Sequence, residues 1–299
     1  MIDLHLHGAF GVDVLTAAPA ELDRLAAGLA ARGVTGFLPT LVPLPLDETA
    51  RVVTRLSAWI RSRSAGDERG ALPLGIHFEG PFVARGRCGA LHLEQLRDGG
   101  DERGPGAFLE AIEGSPGRSM ITLAPEIPGG IRLVEDFVRR GFVVSIGHTD
   151  ADTATLDAAL AKGARHMTHF GNAMRSLHHR EPGPIGWGLL RDDVTLDVIA
   201  DRHHLAPDML RLIFKTKGAA RVALISDAMP AAGMPDGRYE IWGEMLEISG
   251  GAARNAMGTL AGSVMLLDEG VRNLVSLGIP ESDALESASL VPARILASS

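Results

Sequence analysis

Histidines and carboxylates recur in five short motifs: His5-Leu6-His7, His77-Phe78-Glu79-Gly80-Pro81, Gly147-His148-Thr149, Thr168-His169-Phe170 and Ser226-Asp227-Ala228. Each follows a short apolar segment and runs into a glycine, a proline or a small-residue turn. Imidazoles and carboxylates are the ligand set of first-row divalent metals. Gathered at one point, Glu79, His148 and His169 would hold an ion and leave a position open to water. His5 and His7 lie two apart, so on a strand they share a side and could both be metal ligands. An unpaired buried carboxylate is costly, which makes Glu79 a ligand candidate able to bridge two ions. Asp227 is expected to take a proton from the attacking water and pass it to a leaving amine. Each residue has an ordinary alternative. One of His5 and His7 could be only a polar wall, Glu79 a helix cap, His148 or His169 a satisfied structural histidine, and Asp227 an ion-pair or cap residue.

These motifs are too far apart for one loop, and they converge only if the fold brings successive strand ends together. Apolar runs alternating with helical periodicity supply such a fold. Strands are expected at Ile2 to Leu6, Val34 to Leu38, Leu72 to His77, Ser119 to Leu123, Phe142 to Ile146, Arg165 to His169, Val194 to Ala200 and Val222 to Ser226. Helices are expected at Glu21 to Ala31, Thr49 to Ile60, Gly130 to Arg140, Asp152 to Lys162 with Asp152 as N-cap, and Pro207 to Lys215. Eight alternations predict a closed (β/α)₈ TIM barrel, whose C-terminal face gathers the strand ends. Arg61 to Gly70 reads as a polar, solvent-facing turn. Phe82 to Pro105 reads as a long irregular segment of the kind that walls active sites. A small β-excursion is expected over Asp236 to Met257, then closing helices at Ser263 to Leu277 and Glu281 to Leu296. Residues 1–299 are read as one domain.

The chain has 299 residues, enough for a barrel of this size, and 36 glycines with 17 prolines suit many tight strand–helix turns. A net charge of −8 offers no field for nucleic acid or an acidic membrane. One cysteine, Cys88, excludes an internal disulfide framework. Neither a signal-peptide pattern nor a span-length apolar run is present, so a cytoplasmic protein is expected.

A second polar cluster concerns substrate binding. Asn172-Ala173 follow His169, and His178-His179-Arg180-Glu181-Pro182 follow soon after. Arg180 offers the planar donor fork suited to phosphate or carboxylate. Asp201, Arg202, His203 and His204 end the seventh strand, and two or more should face the barrel mouth. The plainer account of this cluster is a hydrated loop with ordinary basic residues.

These residues, with Thr122-Leu123-Ala124-Pro125-Glu126, Thr168 to Met174, Arg180-Glu181-Pro182-Gly183 and Gly258-Thr259-Leu260-Ala261-Gly262-Ser263, resemble the N-acetylglucosamine-6-phosphate deacetylase family of the amidohydrolase superfamily. The matches run in family order along nearly the whole chain. The resemblance implies hydrolysis of N-acetylglucosamine 6-phosphate to acetate and glucosamine 6-phosphate, with one or two divalent ions, Zn²⁺ or Fe²⁺. It implies Glu79, His148 and His169 as principal metal ligands, His5 and His7 for a second ion, and Asp227 as the catalytic aspartate. His204 would polarise the acetamide carbonyl. Asn172, Ala173 and Arg180 would contact sugar and phosphate, with Leu260 in a matching motif, and a homodimer is implied. Two departures stand out. Arg202 replaces a usual glycine and is expected to add bulk and charge beside the pocket, and His92 falls one place later than the family's substrate-contacting histidine. Most members also carry a small β-sandwich built from segments flanking the barrel, and most or all of it is expected to be missing here. Two other readings are a deacylase of a different N-acyl sugar or amide, and a non-catalytic sugar-phosphate binding protein.

Overall fold

The computed structural model describes residues 1–63, 67, 69–100, 104–116 and 118–297. Eight parallel strands form the frame. They are β1 (Ile2–Leu6), β2 (Gly36–Leu41), β3 (His77–Glu79), β4 (Met120–Leu123), β5 (Val143–Ile146), β6 (His166–Met167), β7 (Thr195–Ile199) and β8 (Val222–Ile225). Each pairs with the next in chain order. Asp227 N donates to His5 O at 3.0 Å and His7 N to Ala228 O at 2.8 Å, which joins β8 to β1 and closes the barrel. All four residues of β4, of β5 and of β8 are buried, as expected of strands covered on both faces.

Helices α1 (Pro19–Ala31), α2 (Leu46–Arg61), α4 (Gly130–Arg139), α5 (Thr153–Ala161) and α7 (Pro207–Lys217) lie where the periodicity placed them. Asp152 caps α5 as expected, its carboxylate accepting from Thr155 N at 2.8 Å. Two helices fall where none was expected, α3 (Gly104–Ala111) and α6 (Gly183–Leu190). In α6, Gly-Pro-Ile-Gly-Trp-Gly-Leu-Leu has poor intrinsic helix propensity. Packing overrides it, because a Cβ at Gly188 would meet Met167 Sδ at 2.6 Å, so the glycine lets α6 lie close against the barrel. The buried Lys217 ammonium then donates to Gly188 O at 2.6 Å and caps the helix's end.

The expected strand Leu72 to His77 is split. Leu72–Pro73 pairs with β2, and pairing resumes only at His77. At Gly75 the chain passes within 2.7 Å, in Cβ terms, of the Arg118 carbonyl, which leaves no room for a side chain. Residues 64–66 and 68 of the expected polar turn lie outside the described residues.

After β8 the chain leaves the barrel as a four-stranded antiparallel sheet: β9 (Gly237–Ile241), β10 (Glu244–Ser249), β11 (Ala252–Arg254) and β12 (Leu260–Ser263). The sheet therefore outlasts the expected end at Met257. Asn255 turns the chain back, its side-chain oxygen accepting from Met257 N and Thr259 N at 3.1 and 3.0 Å. Helix α8 accordingly starts at Leu267, four residues late, and the last expected helix is divided into α9 (Glu281–Ser287) and α10 (Leu290–Ala297). Among the described residues no helix is long and apolar enough to cross a membrane.

Candidate active site

The barrel interior is not wholly apolar. Below the C-terminal mouth, His77 bridges Leu4 O at 2.9 Å and Thr122 Oγ1 at 2.8 Å. Thr122 is in turn bonded to Thr168 at 2.8 Å, and Thr168 to Ser145. This satisfied polar layer gives His77 a structural role and supports the residues above it.

Above it, the side chains of the five motifs meet. Glu79 Oε1 lies 3.0 Å from His148 Nε2 and 3.1 Å from His169 Nε2, and the two imidazole nitrogens are 3.1 Å apart. Glu79 Oε2 faces the other way, 3.4 Å from His7 Nε2 and 3.7 Å from His5 Nε2. Asp227 Oδ1 sits 3.4 Å from His5 Nε2 and 3.3 Å from His7 Nε2. Two clusters result, Glu79–His148–His169 and His5–His7–Asp227, each with ligand atoms within 4.8 Å of one another. All six residues are buried.

The donor chemistry fits divalent cations. His148 Nδ1 faces Arg87 O at 2.8 Å and His7 Nδ1 faces Thr40 O at 3.1 Å, which fixes the Nδ1–H tautomer and leaves each Nε2 as a lone-pair donor. Each of these nitrogens lies 3.1 Å from a second imidazole Nε2, and four nitrogens presented as ligands at that spacing would repel unless positive charge lay between them. The titration behaviour agrees. Burial opposes the imidazolium of His7, but hydrogen bonds that it donates to Asp227 and Glu79 overcome this and push His7 up to about 10. His169, also buried, is pushed up to about 9, chiefly by Glu79. Burial would raise both carboxyls; instead His5 and the other histidines hold Glu79 well below the usual carboxylate range, and His5 with His7 brings Asp227 to about 2. The site calls for positive charge.

A prediction follows for metal-free protein. At pH 7.5, below both raised values, His7 and His169 carry protons that a metal must displace. Calorimetric loading in buffers of differing ionisation enthalpy should therefore give proton release, with affinity climbing as pH rises from 7 toward 9. A heat independent of buffer would contradict this.

The candidate ligands stand on constrained backbone. His148, His169 and Asp227 adopt φ of 47°, 32° and 49°. Such left-handed residues cost energy unless their surroundings over-determine them. Nearby carboxylates do so. Asp197, itself held 2.8 Å from His166 Nε2, accepts the His169 amide. Glu126 accepts Thr149 Oγ1 at 2.7 Å and Asp150 N at 2.5 Å, just past His148. Asp3 Oδ1 accepts His5 N at 3.3 Å and Ser226 N at 3.2 Å, on either side of the junction that carries Asp227. Gly147 is needed for approach, since a Cβ there would meet Thr122 Cγ2 at 2.6 Å.

A cavity of about 360 Å³ opens over the clusters. Glu79, His7, His148, His169 and Asp227 form part of its lining, together with His204, His92, Asn172, Ala173 and Leu260. The Phe82 to Pro105 segment contributes Gly89 to His92, so it does form a wall. His204 Nδ1 is held by Asp201 Oδ2 at 2.7 Å, leaving Nε2 as its free nitrogen.

Three sequence expectations need correction. Only His204 of the run 201–204 lines this cavity, where two or more were expected. Arg202 does not add bulk or charge beside it: its φ of 68° turns it toward α8 (Leu267–Ser276), where it donates to Ser276 Oγ. Arg180 is exposed, away from the lining, with its guanidinium 3.0 Å from His179 Nε2. The sequence reading also missed Trp242 and Arg254, both in the lining. Trp242 packs its ring edge-on to His7 at 5.4 Å and donates to Asp13 Oδ2 at 3.1 Å. A tryptophan before Gly243 at a hairpin tip was a usable signal; Arg254 had none.

A closed barrel with paired histidine–carboxylate clusters at its C-terminal mouth defines a metal-dependent hydrolase. No family model matches the chain. It is 40% identical to an N-acetylgalactosamine-6-phosphate deacetylase of Escherichia coli O157:H7 over 99% of its length and 76% of the relative's. It is 38% identical to an N-acetylglucosamine-6-phosphate deacetylase of Bacillus subtilis (strain 168), over 92% and 68%. Among solved structures, an N-acetyl-D-glucosamine-6-phosphate deacetylase mutant from Mycobacterium smegmatis, in complex with N-acetyl-D-glucosamine-6-phosphate, superposes with a TM-score of 0.88 at 36% identity, covering 99% of this chain and 76% of that one. The enzyme from Thermotoga maritima gives 0.88 at 31% identity, over 99% and 77%. The chain belongs to the N-acetylglucosamine-6-phosphate deacetylase family, whose members are metal-dependent amidohydrolases.

Proposed function

We infer that this chain hydrolyses the N-acetyl group of an amino sugar phosphate, N-acetylglucosamine 6-phosphate first, to acetate and glucosamine 6-phosphate. The observation that carries this reading is one cavity whose floor joins both histidine–carboxylate clusters through Glu79, with Asp227 and His204 in the same lining. A non-catalytic binding protein would have no use for Glu79 facing four imidazoles at once.

Glu79, His148 and His169 would hold one divalent ion, and His5, His7 and Asp227 a second, with Zn²⁺ and Fe²⁺ both suited to these donors. Such an ion, when bound, supplies Lewis acidity that polarises a carbonyl and brings the pKa of water toward ~7. The remaining work belongs to the chain's own residues. Asp227, ionised throughout the neutral range, accepts a proton from the attacking water and returns it to the departing amine. His204, with Nδ1 fixed by Asp201, steadies the acetamide oxygen from Nε2. Asn172, Ala173, His92 and Leu260 shape the sugar's surroundings.

The relatives named above act on both the gluco and galacto epimers, so the epimer is part of the test. Rates of acetate release from N-acetylglucosamine 6-phosphate, N-acetylgalactosamine 6-phosphate and the two unphosphorylated sugars decide it. The expected result is turnover of one or both phosphate esters, with the free sugars at least about tenfold poorer, as loss of one charged contact implies. Equal rates with and without phosphate would move the reading to another N-acyl substrate.

A further inference from the structure

The hairpin between β9 and β10 turns in two residues, Trp242 and Gly243, because Ile241 pairs directly with Glu244. Both turn residues sit at positive φ, 55° and 79°. Asparagine or glycine suits the first of these positions, whereas a tryptophan there is strained and must be held by its surroundings. Two contacts hold it. The indole N–H donates to Asp13 Oδ2 at 3.1 Å, and Asp13 is itself fixed through Oδ1 by Leu15 N at 2.8 Å. The ring packs edge-on to the His7 imidazole, with centroids 5.4 Å apart and planes at 77°. A bulky apolar group is thus pinned against the His5–His7–Asp227 side of the cavity and forms part of its lining.

Val42 and Leu91 continue this apolar wall. Val42 follows β2, Leu91 lies in the segment after β3, and both belong to a small apolar cluster with Val83 and Leu96. Trp242, Val42 and Leu91 therefore follow one another around the mouth, beside β1, β2 and β3. The polar lining occupies the other arc, where Asn172, His204 and Asp227 come after β6, β7 and β8. The acyl carbon of an amide carries three substituents in one plane. In the reading above its oxygen goes to His204, and its nitrogen leads to the sugar beside Asn172 and Ala173. Two of the three directions are thereby spent on the β6–β8 arc. The third, the methyl of an acetyl group, points to the opposite arc, where the indole stands.

We propose that Trp242 is a specificity-determining residue that bounds the acyl pocket, admitting acetyl and excluding longer chains. This rests on the deacetylase reading above and adds to it the residue that sets the length of the acyl group. Interiors are close-packed, so a methylene pushed against an anchored ring finds no room unless the ring moves. The strained turn and the bond to Asp13 keep Trp242 from doing so.

The test compares wild type, Trp242→Gly and Trp242→Phe on the N-acetyl, N-propionyl and N-butyryl amides of glucosamine 6-phosphate, with metal content measured on each protein. The readout is the ratio of kcat/KM for acetyl over butyryl, which a general loss of stability or metal leaves unchanged because it scales both rates. One methylene in an apolar pocket is worth about tenfold or more, so wild type should favour acetyl over butyryl by about 100-fold or more. Trp242→Gly, which suits the positive φ of the turn, should cut that preference at least about tenfold. Trp242→Phe, a smaller ring without the bond to Asp13, should fall between the two. A wild type that releases butyrate as readily as acetate overturns the proposal, and so does an unchanged ratio in Trp242→Gly. Should Trp242→Gly fail to fold, the ratio in Trp242→Phe decides alone, and a wild-type value there overturns the proposal. A wild type that hydrolyses none of the three amides overturns the deacetylase reading itself, so the two failures are distinct.

Discussion

Asp227→Asn should abolish most acetate release while leaving the protein folded and able to bind substrate. The substitution preserves shape but removes the negative charge that lies 3.4 and 3.3 Å from His5 and His7. With its carboxyl at about 2, Asp227 is an ionised proton acceptor at any working pH, and an amide cannot replace it. General acid–base catalysis contributes about 10²- to 10⁴-fold, so kcat should fall by that much with KM within a few-fold. The left-handed backbone of Asp227 tolerates asparagine well, so the variant should melt close to wild type. Steady-state acetate release checks this. A kcat within threefold of wild type, roughly the noise of such comparisons in free energy, would remove Asp227 from proton transfer.

Glu79→Gln should fail differently, by losing metal before losing chemistry. Glu79 is the one group that faces both clusters, with Oε1 toward His148 and His169 and Oε2 toward His5 and His7. An amide offers one acceptor oxygen and turns an NH₂ toward the opposite pair of imidazoles. It also removes the charge that most favours the imidazolium of His169. Since supporting partners alone are worth about 10- to 100-fold in metal affinity, a ligand facing both sites should be worth at least that. Purified Glu79→Gln should carry little metal and release almost no acetate, whereas Asp227→Asn should retain the ion at Glu79–His148–His169. Metal content measured on both variants separates them; full metal in Glu79→Gln would contradict the shared-carboxylate geometry.

The order of strands was legible because a buried parallel strand announces itself as a short apolar run with a turn behind it. Val143–Ile146 and Val222–Ile225 are such runs, and His148 and Asp227 sit two residues beyond them. Helix α6 was invisible for the opposite reason: three glycines and a proline argue against a helix, and tertiary packing on Met167 and Phe170 decides it. The candidate metal ligands could be named because few other roles suit so many histidines at strand ends. Side-chain direction was the harder matter. Arg180 and Arg202 looked like substrate contacts by charge and proximity in sequence, yet neither lines the cavity: the Arg180 guanidinium lies beside His179 and that of Arg202 reaches Ser276. Trp242 and Arg254 reach it from a sheet whose placement depends on pairing between Ser263 and Asp227, and nothing local in sequence encodes that pairing.

The most direct measurement follows acetate and free amine from N-acetylglucosamine 6-phosphate with one preparation whose metal is counted, before chelation, after it, and after re-supply of Zn²⁺ or Fe²⁺. The account predicts equal amounts of acetate and amine, a rate that falls with the metal removed, and recovery on reloading. Undiminished release from metal-free protein, or no release from protein with its metal in place, would contradict it.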